Sequence, residues 1–172
     1  MPPAPIERTK EGDFRVHLSA DERDLLRGLT AQLEELLRAD PEDPSLRRLT
    51  PPAYENDDEG EREFRSLMGA ELDTRHRAGL RRLAETADRD RLDAEELDGW
   101  LTALNDLRLV LGTRLDVTED QFTDGFDPLA PNAHGLAVYA FLTWVQEAAV
   151  EAAASLLGGG ASAGQSPPSP DA

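Results

Sequence analysis

Apolar positions along the chain fall into two rhythms. Phe14, Val16 and Leu18 alternate with Arg15 and His17, and this period of two predicts a short extended segment over 14–18. From Ser19 onward the rhythm is helical, with Leu25, Leu29, Leu33, Leu36 and Leu37 on one face. Ser19 and Glu22 stand at capping-box spacing, where hydroxyl and carboxylate satisfy backbone N–H groups that a helix start leaves free. The helix is predicted to stop near Ala39, because Pro41 disfavours helical geometry at the residue before it.

Phe64, Leu67, Met68, Leu72, Leu80 and Leu83 mark a second helix. Its start coincides with an acidic run over 55–63, six carboxylates in nine residues, where the helix dipole favours negative charge. A third helix opens at Asp93, again with a glutamate, Glu96, at capping-box spacing. Leu97, Trp100, Leu104, Leu107 and Leu111 follow at steps of 3, 4, 3 and 4 and form an apolar seam. Gly112 occupies the place of a left-handed residue that stops the helix. Residues 113–117 then read as extended and as a partner strand for 14–18, and Thr118 and Gln121 have the spacing of a further helix start. The last helix is predicted from Asn132 to about Leu157. It is apolar nearly all round through Val145, which places it centrally in the core or at a subunit interface.

Together these elements predict an all-α fold, a compact bundle of about four main helices with a minor two-stranded β element. Residues 1–12 read as a disordered N-terminal arm, 13–157 as a single helical domain, and 158–172 as a disordered Gly/Ala/Ser/Pro tail.

Composition narrows the function classes. The chain has 172 residues, a net charge of −17 and a pI of about 4.4, so its field repels phosphate backbones and favours basic or solvent-facing partners. There is no cysteine, which excludes disulfides, thiolate catalysis and cysteine-type zinc sites within this chain. The first ten residues carry no apolar leader segment, and together with the cysteine count this fits a cytoplasmic protein. The longest apolar run, 135–145, is too short to span a bilayer, so no membrane role is expected.

No catalytic, cofactor-binding or metal-ligating set emerges. His17, His76 and His134 are far apart and lack carboxylates at ligand spacing, and the acidic run lacks the alternating ligand order of a calcium loop. The motifs of serine hydrolases, P-loop NTPases and dinucleotide-binding proteins are absent. The basic segment containing Arg75, Arg77, Arg81 and Arg82, continued by Arg89 and Arg91, is the candidate for contact with nucleic acid. Asp73, Glu85, Asp88 and Asp90 oppose it and no aromatic residue interleaves for base stacking, so a salt-bridged surface is the competing reading. Trp100, Asn105, Asp106, Arg108, Arg114 and Asp116 are the candidates for partner recognition. The five polar members of that set equally fit a structural hydrogen-bond and ion-pair network beside the seam.

The stretch LNDLRLVLGTRLDVTED (104–120) resembles an actinobacterial family encoded beside the ClpS protease adaptor, one branch of which comprises the AosR-like oxidative-stress transcription regulators. The resemblance extends to RLTPPAYENDDEGEREFR (48–65) and to the late helix around Tyr139 and Trp144, and so covers about 13–157. It implies a non-enzymatic cytoplasmic regulator with a protein partner, an RNA polymerase sigma factor or the polymerase, controlling genes of sulfur metabolism and oxidant defence. In the redox-sensing branch a closely spaced cysteine pair near the N-terminus forms the switch, and this chain has no cysteine with which to form one. Three other readings remain open: an adaptor linked to ClpS–Clp proteolysis, direct DNA binding through 75–91, and a homodimer through the last helix that a charge at Ala140 or Val145 would dissociate.

Overall fold

The structure, a computed structural model, describes residues 2–49, 58–117 and 127–158, without the side chains of 58, 61, 62 and 64–70. Strands β1 (Ile6–Arg8) and β2 (Phe14–Val16) lead into helix α1 (Ala20–Ala39). A short 3-10 turn at Pro44–Leu46 precedes α2 (Asp58–Thr86), and then come β3 (Arg91–Leu92), α3 (Ala94–Leu115) and α4 (Ala133–Gly158). The fold is mostly α-helical, four long helices with a small antiparallel sheet in the order β1-β2-β3.

Both predicted capping boxes form: Ser19 with Glu22 opens α1, and Asp93 with Glu96 opens α3. Each cap contributes about 1 kcal/mol to its helix. Helix α1 ends at Ala39 as Pro41 requires, with Asp40 as its cap. Helix α3 lies at the centre, packed on α2 on one side and on α4 on the other, while α1 covers α2 and β1 lies under α4. Four of the five seam residues, Leu97, Trp100, Leu104 and Leu107, are buried in the core, and Leu111 packs against it.

The sheet departs from expectation. Strand β2 pairs not with 113–117 but with β1 and β3, in the registers Ile6↔Val16 and Phe14↔Leu92. Ile6, Phe14, Val16 and Leu92 point inward together, so residues 6–8, placed by composition in a disordered arm, are an edge strand held by one buried isoleucine. A single apolar residue in a polar arm leaves no periodicity to read.

The end of α3 also differs. The helix runs past Gly112 to Leu115, and Asp116 takes the left-handed conformation, φ 51° and ψ 47°. Val117 N–H donates to the Gly112 carbonyl at 3.0 Å and Asp116 N–H to the Thr113 carbonyl at 3.3 Å, the two bonds of a Schellman motif. Gly112 serves packing instead, since a Cβ there would stand 3.1 Å from Tyr139 Cε2 on α4. The expected turn at Thr118–Gln121, residues 55–57 of the acidic run and the tail beyond Gly158 lie outside the described residues, while α2 begins within that run at Asp58.

Candidate functional site

The residues nominated from the sequence separate into three environments. Trp100 is fully buried and donates its indole N–H to Thr86 Oγ1 at 2.7 Å, so it is a core anchor rather than a partner contact. Asp106, off the seam, is also buried and meets His76 of α2, with Nδ1 to Oδ2 at 2.7 Å. The Asp106 contact raises the His76 pKa above 6.5; burial opposes the shift, and the Leu49 backbone and the Asp73 charge assist it. His76 Nε2 makes no hydrogen bond among the described residues.

Above this pair a groove of about 350 Å³ runs between α2 and α3, lined by Leu72, Arg75 and His76 on one wall and Asp98, Leu101, Thr102, Asn105 and Asp106 on the other. Asn105 is exposed at its rim. A second, apolar recess of about 80 Å³ lies between α1, α3 and α4, lined by Leu29, Leu33, Leu36, Leu107, Val110 and Leu142 among others. It falls well below the roughly 300–1,000 Å³ of small-molecule sites.

Arg108 turns toward α4, donating to Gln146 Oε1 at 2.8 Å and stacking 5.4 Å from the Tyr139 ring centroid. Arg114 reaches the 3-10 turn, where its Nε donates to Ser45 Oγ at 3.3 Å. Hydrogen bonds from Ser45 hold the Asp43 carboxyl below the usual carboxylate range, and the Arg114 charge adds to this. Asp106, Arg108 and Arg114 thus fasten three different elements to α3, while Asp116 is exposed at its end.

The basic segment is largely neutralised in place. Arg77 pairs with Asp73 at 2.9 Å and also donates to the Leu37 carbonyl, and Arg82 pairs with Glu95 at 3.4 Å. Arg89 pairs with Glu96, and Arg91 with Asp13 and Glu11. Arg75 and Arg81 are exposed.

One feature carries no sequence signal of its own. Arg23, buried in the first turns of α1, donates to the carbonyls of Val16, Leu18, Ala87 and Arg89 and to the Asp90 carboxylate, at 2.8–3.3 Å. The all-round apolar pattern of the last helix resolves into two faces of α4. The inner face buries Val138, Leu142, Val145, Ala149 and Ala152 at steps of 4, 3, 4 and 3, whereas Trp144 is 43% and Val150 50% exposed. Val145 is wholly buried within the chain and is therefore unavailable as a dimer contact, whereas Ala140 is exposed.

Residues 3–153 match the family described as "Domain of unknown function (DUF2017)". The chain belongs to this family. Similar curated proteins include "Oxidative stress regulator AosR" of Mycobacterium tuberculosis (strain ATCC 25618 / H37Rv) and of Mycobacterium bovis (strain ATCC BAA-935 / AF2122/97). Each is 35% identical over 126 residues, covering 62% of this chain and 56% of the relative. This chain thus spans a little over half the length of these curated relatives. No solved structure matches it. Among the described residues no helix is long and apolar enough to cross a membrane.

Proposed function

We propose that this chain is a non-enzymatic, cytoplasmic regulator of transcription in the response to oxidants, acting by contact with a protein partner, an RNA polymerase sigma factor or the polymerase. The observation that carries the reading is the match to relatives named oxidative stress regulators. The exposed apolar residues of α4 support contact as the mechanism, because exposed apolar surface commonly marks interaction sites.

The input differs from a thiol switch. With no cysteine in the chain, oxidant does not reach the regulator through a disulfide of its own, and the partner or the abundance of the protein carries the signal. Affinity capture from host lysate with the tagged chain, with and without oxidant, tests the reading. Recovery of a sigma factor or polymerase subunits in equal amounts under both conditions is expected. Recovery of Clp protease subunits without polymerase favours the proteolytic adaptor instead.

A further inference from the structure

We propose that the outward face of α4 receives a basic amphipathic helix from a partner protein; the inference rests on the protein-contact reading above and names its surface. Trp144 is the apolar centre, backed by Phe141, which packs partly against the core, with ring centroids 6.3 Å apart and planes at 48°. Ala140 lies one turn before Trp144, and Val150 continues the exposed surface toward the C-terminal end. Glu147 and Glu151 stand one and two turns beyond Trp144 on the same face, both exposed. An apolar centre continued by a pair of carboxylates is the complement of a helix with apolar residues at i, i+3 and i+4 and lysine or arginine alongside.

Charge selects this occupant over the others. The sequence contains no lysine or arginine after Arg114, so α4 brings no basic residue of its own to the surface. Of the arginines that reach α4, Arg108 faces Tyr139 and Gln146, and Arg8 donates to the Ser155 carbonyl at 2.7 Å near its C-terminal end. A second copy seated symmetrically on this face would set Glu147 and Glu151 against the same carboxylates, in a pair of chains of net charge −17 each. Anionic membranes and nucleic acids are repelled for the same reason. A cationic helix gains from both the aromatic centre and the carboxylates.

The test titrates the full chain with a 21-residue amphipathic helical peptide of leucine and lysine, and with the same peptide carrying glutamate for lysine, following tryptophan emission. The lysine peptide is expected to bind and shift Trp144 emission to the blue, and the glutamate peptide to do neither. Trp144→Glu, and Glu147→Arg with Glu151→Arg, are each expected to weaken binding about tenfold or more, as loss of a central contact does. Glu71→Arg with Glu85→Arg makes the same change in net charge on exposed positions of α2, and is expected to leave affinity within about twofold.

Equal loss in the two charge-reversed pairs would reduce the effect to general attraction and overturn the proposal. So would absence of lysine-peptide binding at low salt, or sedimentation as a dimer that buries Trp144. The surface and the regulator reading fail separately. A transcriptional effect that survives Trp144→Glu removes the surface and leaves the regulator. Peptide binding as expected with no effect on polymerase does the reverse.

Discussion

His76 Nδ1 and Asp106 Oδ2 meet at 2.7 Å across the α2–α3 interface, one residue from each helix, with the aspartate almost wholly buried. The pair joins the basic segment to the signature of the third helix, two features that lie thirty residues apart in sequence. Asp106 is held at an otherwise apolar position because the imidazole satisfies it, and a buried carboxylate without a partner is costly.

His76→Leu is therefore expected to destabilise the fold by about 3 kcal/mol, the scale for removing one partner of a buried pair. The pH dependence follows from the raised His76 pKa. The protonated pair contributes stability that is fully present below the ordinary histidine value of 6.5 and is lost as pH rises through the folded-state value. Asp106→Asn is expected to bring the His76 titration down toward the ordinary value. Imidazole chemical shifts across the titration measure it, and an unmoved midpoint would show that the aspartate does not set the pKa.

Arg23 binds four carbonyls and one carboxylate from β2, the β2–α1 junction and the 87–90 turn. Only a planar guanidinium places donors in so many directions at once. Arg23→Lys is expected to lose most of what Arg23→Ala loses, on the order of 3 kcal/mol, since either leaves buried carbonyls unpaired. Urea midpoints of the two variants provide the comparison, and a lysine variant close to wild type would contradict it.

Helices α2 and α3 approach closely at Gly79. A Cβ there would stand 3.0 Å from Thr102 Cγ2 and 3.2 Å from the Gly99 carbonyl oxygen. Alanine favours a helix over glycine by up to about 1 kcal/mol, but the backbone oxygen cannot turn aside as a side chain does. Gly79→Ala is thus expected to lower stability by about 1 kcal/mol net of the propensity gain. A higher melting temperature in this variant would mean that the helices part without cost.

Asp116 has the only positive φ of a non-glycine residue among the described residues. It also places a carboxylate at the negative end of the α3 dipole. Asp116→Gly is expected to stabilise the chain by roughly 0.5–1 kcal/mol, measured by thermal or urea unfolding. A loss of stability would assign the aspartate a compensating contact.

The helices were legible in the sequence where a local rule set them: the two capping boxes, the stop before Pro41, the Leu97–Leu107 seam and the span of the last helix. The sheet was not, because strands of two and three residues are fixed by pairing across the chain rather than by their own pattern. Gly112 misled because a glycine near a helix end fits both a left-handed stop and a close helix crossing, and only the position of Tyr139 decides between them. Of the nominated residues, Asp106, Arg108 and Arg114 form the polar network that the sequence left open, while Trp100 is core. An aspartate next to an apolar seam is compatible with a buried partner, and His76 is found only once α2 is laid beside α3. The last helix was legible as apolar beyond what one core face requires, which pointed to the core or a subunit interface, but period alone did not separate the exposed Trp144 from the buried Val145 beside it.

Transcription in vitro tests the central claim most directly, with host polymerase, the sigma factor recovered with this chain, and a promoter from an oxidant-defence gene. Addition of the purified chain is predicted to change transcript yield at that promoter in a concentration-dependent way, equally with and without peroxide, since the chain has no cysteine to oxidise. Transcript yield unchanged at saturating protein would contradict the regulator account.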